Sequence, residues 1–218
     1  MGAKTERRHA QGDESRERIL DATIEIASQR GYHGTSIAAV SRLSGLPASS
    51  IYWHFKNKDD LIAAVIQRSF DSWSNTATQV SLRRPGVGPR EHLVSSMRSQ
   101  AAALVADPEF LRLGLMLALE RHPQEPSARA MFLQVREQSF AVLVEAFDRV
   151  IVELHGTADG ALARWIATMA MAAADGLFIA QQVDPSSFAL EDGFQLLAEM
   201  IVNLLELAPS STARRARS

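Results

Sequence analysis

GYHGTSIAAVSRLSGLPASSIYWHFKNKDDL, residues 31–61, decides how this chain is read. Gly31 ends one helical run. Thr35 and Ser36 open a short second helix holding Ile37, Val40 and Ser41, with Thr35 the expected N-cap. Ser44-Gly45 closes it, and Pro47 starts a third helix, where a missing N–H costs nothing. That helix ends near Phe55. Asn57 then caps a long fourth helix, with Asp59 and Asp60 in its first turn, where acids suit the helix dipole. A short gap with a Gly between helices two and three is the spacing of a helix-turn-helix, whose second member enters the DNA major groove.

Within this stretch four rings stand side by side: Tyr52, Trp53, His54 and Phe55. Each helical residue turns about 100° from the last, so one core cannot take all four. Ile51 and Phe55 are four apart and share a face, which makes them the core pair.

Outward from this stretch the chain reads as helix. Before it, Asp13, Glu14 and Glu17 suit a helix N-terminus, and Ile19, Leu20, Ala22, Thr23, Ile26 and Ala27 form the buried stripe. Residues 1–12 read as a disordered basic arm with Lys4, Arg7 and Arg8, and residues 209–218 as a disordered tail. RRPGVGPR, residues 83–90, breaks the chain after helix four. Helical segments follow near 89–106, 108–122, 126–155, 158–183 and 186–207, punctuated by Pro108, Pro123, Pro126, Gly156 and Pro185. The expected fold is all-α with about nine helices. A helix-turn-helix head, residues 13–60, is joined by a long helix to a helical body within residues 61–208.

Charge follows this division. Residues 1–58 hold nine Lys/Arg against six Asp/Glu, and residues 59–218 hold fourteen against nineteen. A basic head on an acidic body suits a local nucleic-acid footprint. There is no Cys, which excludes disulfides, Cys-type zinc sites and thiol catalysis. The polar start is unlike a signal peptide, and Trp165–Ala180 is short for a membrane span and broken by Asp175. A soluble, cytoplasmic protein without membrane contact is expected. No HExxH, GxSxG or Walker loop occurs, and the six His lack metal-ligand spacing. No cofactor, metal or catalytic residue is expected.

Residues 31–61 resemble the DNA-binding head of the TetR family of bacterial transcription regulators. The resemblance rests on Gly31-Tyr32, Thr35-Ser36, Ser44-Gly45, Ile51-Tyr52-Trp53-His54-Phe55 and Lys58-Asp59, in register over about 45 residues. It implies a ligand-responsive regulator, a repressor that binds a palindromic double-stranded operator as a homodimer. A small hydrophobic or aromatic effector would release it. The alternatives are an all-helical enzyme and a helical protein–protein adaptor.

The resemblance places DNA contacts at Thr35 and Ser36, Ala48, Ser49 and Ser50, Tyr52, His54 and Lys58. Thr35 is read as either a phosphate contact or only the cap. Arg42 is read as a supplementary contact or a solvated side chain, and Trp53 as covering the sugar-phosphate surface or packing on the head. Where many members carry Ser-Lys-Gly-Thr, this chain has Pro47-Ala48-Ser49-Ser50, which leaves the base-reading surface small. The family's body holds a ligand cavity, for which His92, Glu120, His122, Trp165, Met169, Asp175, Phe178 and Gln181 are the candidates, with Trp165, Met169 and Phe178 expected on one face. Its last two helices commonly pair with their copies, which points to Ala173, Gly176, Leu177, Phe194, Leu197 and Ile201 as the dimer interface.

Overall fold

A computed structural model of the chain describes residues 2–80, 86–120 and 126–207. Among them are nine helices and no strand: α1 (Gly2–Gly34), α2 (Ile37–Ser44), α3 (Ala48–His54), α4 (Lys58–Val80), α5 (Pro89–Ala106), α6 (Glu109–Leu119), α7 (Ser127–His155), α8 (Gly160–Val183) and α9 (Leu190–Leu207). The all-helical fold expected from the sequence is the observed one. The tail at 209–218 lies outside the described residues.

Two expectations at the head are corrected. Helix α1 begins at Gly2, so residues 2–12 are helical rather than a disordered arm. Ala, Arg, Glu, Lys and Gln dominate them, no Pro interrupts, and they extend a helix already nucleated by a buried stripe, where each added residue costs little. Asp13, Glu14 and Glu17 therefore sit inside the helix and not at its first turn. The cap of α2 is Ser36, whose hydroxyl accepts the Ala39 N–H at 3.2 Å. Thr35 is 1% exposed, and its hydroxyl donates to the Gly31 carbonyl at 2.9 Å. Gly31 has φ 65°, which turns the chain out of α1 and sets that carbonyl beside Thr35.

The helix-turn-helix is closed by short polar contacts. Gly45 takes the left-handed conformation after α2. Across the turn, the Ser41 hydroxyl donates to the Leu46 carbonyl at 2.7 Å. From α1, Arg18 donates to the Ser44 carbonyl at 2.7 Å, which places a cation at the negative end of α2. The Pro47 carbonyl accepts the Ser50 N–H and starts α3. Ile51 and Phe55 are buried, as the register requires. Asn57 accepts the Asp60 N–H at 2.8 Å and caps α4.

Packing groups the chain into two compact units. The first is Met1–Asp71 with Pro108–Val135, and the second is Ser72–Asp107 with Arg136–Ser218. The head and α6 thus share a unit, and the boundary expected at residue 60 falls inside α4. In the first unit, α6 meets the start of α7 closely: a Cβ on Gly114 would lie 1.9 Å from the Phe132 ring. The Phe110 N–H donates to the buried Ser69 hydroxyl of α4 at 3.1 Å, and the Phe110 ring meets Phe70 edge-on. In the second unit α9 packs against α5 and α8. Arg136 grips Asp175 with two bonds of 2.9 and 2.7 Å, and His155 Nε2 sits 2.9 Å from the Leu205 carbonyl.

Candidate nucleic-acid interface

Helix α3 is anchored by Ile51 and offers its other faces outward. Tyr52 is 56% exposed and Trp53 76% exposed. Ser36, Arg42 and Ser49 are exposed, and Ala48, Ser50 and His54 are half-buried. By element they lie at the start of α2 (Ser36), in its last turn (Arg42) and along α3. Thr35 does not join them, because its hydroxyl is enclosed and already bonded.

Trp53 and His54 meet edge to face, with ring centroids 4.5 Å apart. Together with Ser49, Ser50, Gly12 and Ser15 they line a groove of about 320 Å³ between α3 and α1. The N-terminal helix is thus part of the candidate surface, at Gly12 and Ser15, which no expectation had included. Its signal lay in helical register: α1 runs unbroken from Gly2 to Gly31, so its early turns share a line with its buried stripe. His54 is held below its ordinary pKa, first by burial and then by the Arg16 guanidinium, with Asp13 opposing. Near neutral pH it therefore meets a partner as a neutral imidazole, with one donor and one acceptor. Arg16 itself lies 5.6 Å from the Phe55 ring centroid and pairs with Glu17.

Lys58 is placed inward. Its ammonium donates to the Tyr32 carbonyl at 3.1 Å and lies 4.1 Å from the Tyr32 ring centroid. One of its three N–H donors is committed, so a phosphate would share the group or displace that bond. The Tyr32 hydroxyl donates to Asp59 at 3.2 Å. Burial, and next the Asp59 charge, push the Tyr32 phenol up to about 12.

The residues expected to line a ligand cavity are divided between the two units. Glu120 ends α6 in the first unit, where both its oxygens lie 3.1 Å from His33 Nε2. His122 lies outside the described residues. On α8, Phe178 is 3% exposed while Trp165 is 57% exposed and Met169 is also exposed. The shared face expected for these three is corrected: thirteen residues from Trp165 the helix has turned to its opposite side. Asp175 is committed to Arg136. His92 and Gln181 are half-buried.

The expected dimer residues divide in the same way. Phe194 and Ile201 are buried within their own unit, and Ala173, Leu177 and Leu197 are half-buried. Gly176 is exposed, with nothing within 4 Å of where its Cβ would stand. The free apolar faces lie beside these residues. On α8, Trp165, Met169, Gly176, Ile179 and Val183 are exposed, at steps of four, seven, three and four that keep them on one helical face. On α9 the exposed set is Leu196, Met200, Leu204 and Leu207. Helix α8 is long and apolar enough to cross a membrane by length and composition, with 28% of its most apolar window buried. Among the described residues no cluster of His, Asp or Glu is arranged to hold a metal ion.

Comparison with known proteins agrees with this geometry. Residues 19–65, from the α1 stripe into α4, match the family model for bacterial regulatory proteins of the tetR family. The HTH-type transcriptional regulator AcrR of Shigella flexneri is 30% identical over 86 residues, 39% of either chain. The HTH-type transcriptional regulator RutR of Escherichia coli strain K12 is 23% identical over 72% of this chain and 64% of its own length. These matches span less than two thirds of those regulators. The fold is shared with a solved regulator from Pseudomonas aeruginosa PAO1, described as a putative transcriptional regulator, at TM-score 0.68 and 24% identity over 92% of each chain. Residues 19–65 are thus similar to the helix-turn-helix head of the tetR family of bacterial regulatory proteins.

Proposed function

We propose that the protein is a homodimeric repressor that binds a palindromic operator and is released by a small hydrophobic or aromatic effector, in the cytoplasm and without catalysis. The observation that carries DNA binding is the outward presentation of Tyr52 and Trp53 on a short helix whose Ile51 is fully buried. Ser36 and the α2 N-terminus supply phosphate contacts, Tyr52 and His54 hydrogen-bond the backbone, and Ser49, Ser50 and Ala48 meet base edges. Lys58 and Arg42 add charge. With no long side chain among Ala48, Ser49 and Ser50, part of the selectivity comes from DNA shape.

Two half-sites need two heads. The exposed apolar faces of α8 and α9 support a dimer in which these helices meet their copies, around Gly176, where a missing side chain permits close approach. An effector acts by favouring a state in which the heads are wrongly spaced. Its effect is bounded by its differential affinity for the two states.

Selection of duplexes from a random pool, followed by gel shift, tests this reading. The expected result is a palindrome bound by two chains, with affinity falling steeply as salt rises. If no duplex competes better than random DNA at physiological salt, the proposal fails.

A further inference from the structure

The free end of Lys58 is held in place. Its ammonium donates to the Tyr32 carbonyl at 3.1 Å and lies over the Tyr32 ring, 4.1 Å from the centroid. A lysine otherwise swings on a flexible stem, with one of the largest side-chain entropies. The ring beneath it is fixed in turn. The Tyr32 hydroxyl donates to Asp59, the next residue of α4, at 3.2 Å, and His33 meets the ring edge-on with centroids 5.2 Å apart.

The same carbonyl accepts a second bond, from the Thr35 N–H at 3.3 Å. One oxygen thus joins the cation of α4 to the residue before Ser36, the N-cap of α2. Ser36 accepts the Ala39 N–H through its hydroxyl oxygen, which leaves the hydroxyl proton to donate. The other N–H groups of the Lys58 ammonium also remain as donors. A full positive charge therefore stands next to the positive end of the α2 dipole, and both suit one anion.

We propose that Tyr32 is a positioning residue for DNA binding: its carbonyl and ring hold the Lys58 ammonium beside the N-terminus of α2, so that Lys58 and Ser36 grip the same phosphate. Tyr32 itself touches no DNA. It orders Lys58 before the duplex arrives, and the phosphate shares the ammonium with Tyr32 instead of displacing it. Ordering a long side chain only on binding lowers affinity by about two- to tenfold. The inference rests on the DNA-binding reading above.

The test uses the full chain and a duplex selected from a random pool by the wild-type protein. Tyr32→Leu removes the ring, and Tyr32→Phe keeps it. Tyr32→Leu should weaken binding about two- to tenfold, and Tyr32→Phe should restore it to within about twofold of wild type. Lys58→Ala should lower the slope of log affinity against log salt by about 0.9, and in that background Tyr32→Leu should have no further effect. Alone, Tyr32→Leu should keep the wild-type slope, because the charge still reaches its phosphate. Equal losses from Tyr32→Leu with and without Lys58 mean that Tyr32 only supports the fold of the head, and they overturn the proposal. A Lys58→Ala slope equal to that of wild type also overturns it. NMR of the wild-type protein needs no variant to fold: cross-peaks between the Lys58 ε-methylene and the Tyr32 ring protons should be present before and after the duplex is added. Their loss on binding means that the ammonium leaves Tyr32 to reach DNA, and the proposal fails while the helix-turn-helix reading stands. Failure of the wild type to select any duplex overturns both proposals.

Discussion

Asp59, in the first turn of α4, accepts the backbone N–H of Ala128, in the first turn of α7, at 3.3 Å. The neighbouring Ser127 N–H donates to the same carboxylate. A helix that lacks a capping side chain of its own is thus capped from another helix, by a full negative charge at its positive end. The same carboxylate receives the Tyr32 hydroxyl, and the Tyr32 carbonyl receives Lys58. Within one unit, three segments meet through these few bonds: the end of α1, the first turn of α4 and the start of α7.

Asp59→Ala removes the cap and the Tyr32 acceptor together. It should cost about 1–2 kcal/mol of unfolding free energy, read from the midpoint of urea denaturation. Tyr32→Phe keeps the ring under Lys58 and loses one hydrogen bond, so it should cost less, about 0.5–1.5 kcal/mol. A D59A protein as stable as wild type would mean that α7 starts without this carboxylate.

Alkaline stability should carry a Tyr32 signature. In the folded protein its phenol is raised to about 12, against 10.0 for the ordinary group. The unfolded chain then releases this proton first, so the native state binds more protons between the two values and stability falls as pH rises from 10 to 12. Tyr32→Phe should flatten that part of the curve. Identical curves for the two proteins over this window would contradict the buried, Asp59-bonded placement.

His54 should titrate below its ordinary range, because burial and Arg16 disfavour its charged form. Any stability it contributes is present above pH 6.5 and lost as pH falls through the lowered value. Proton NMR of the imidazole should show the midpoint rising in Arg16→Ala. A midpoint unmoved by that substitution removes Arg16 as a cause.

Gly114→Ala should destabilise the first unit by about 1–3 kcal/mol, since the new methyl meets the fully buried Phe132 ring with no room to move. Helix propensity alone predicts the opposite sign, a gain of about 0.5–1 kcal/mol. Thermal or chemical unfolding therefore decides between tertiary crowding and intrinsic preference from the sign alone.

The dimer proposal makes a sharper demand on α8 and α9. Ile179→Lys combined with Met200→Lys changes two exposed side chains and should leave the helical circular dichroism unchanged. Sedimentation should shift from dimer to monomer, and operator affinity should fall with it. A double variant that stays dimeric places the interface elsewhere.

Much of this protein was legible in its sequence because helices announce themselves locally. The break at Gly31, the turn at Gly45, the Asn57 cap and the four-residue spacing of Ile51 and Phe55 all follow from backbone preference and register. Where sequence alone misled was in the choice between similar neighbours. Thr35 and Ser36 are both capping residues, and only the left-handed turn at Gly31 commits Thr35 to a buried carbonyl and leaves Ser36 to cap α2. Helix α8 is apolar on both sides, so periodicity could not say that Phe178 enters the core and Trp165 faces out. Lys58 and Asp59 read as surface charges until the fold brings Tyr32 and α7 to them. Local rules determined where each helix starts, stops and turns. Which face of it is covered, and which polar group finds a partner, depended on elements far away in the chain that only packing brings near.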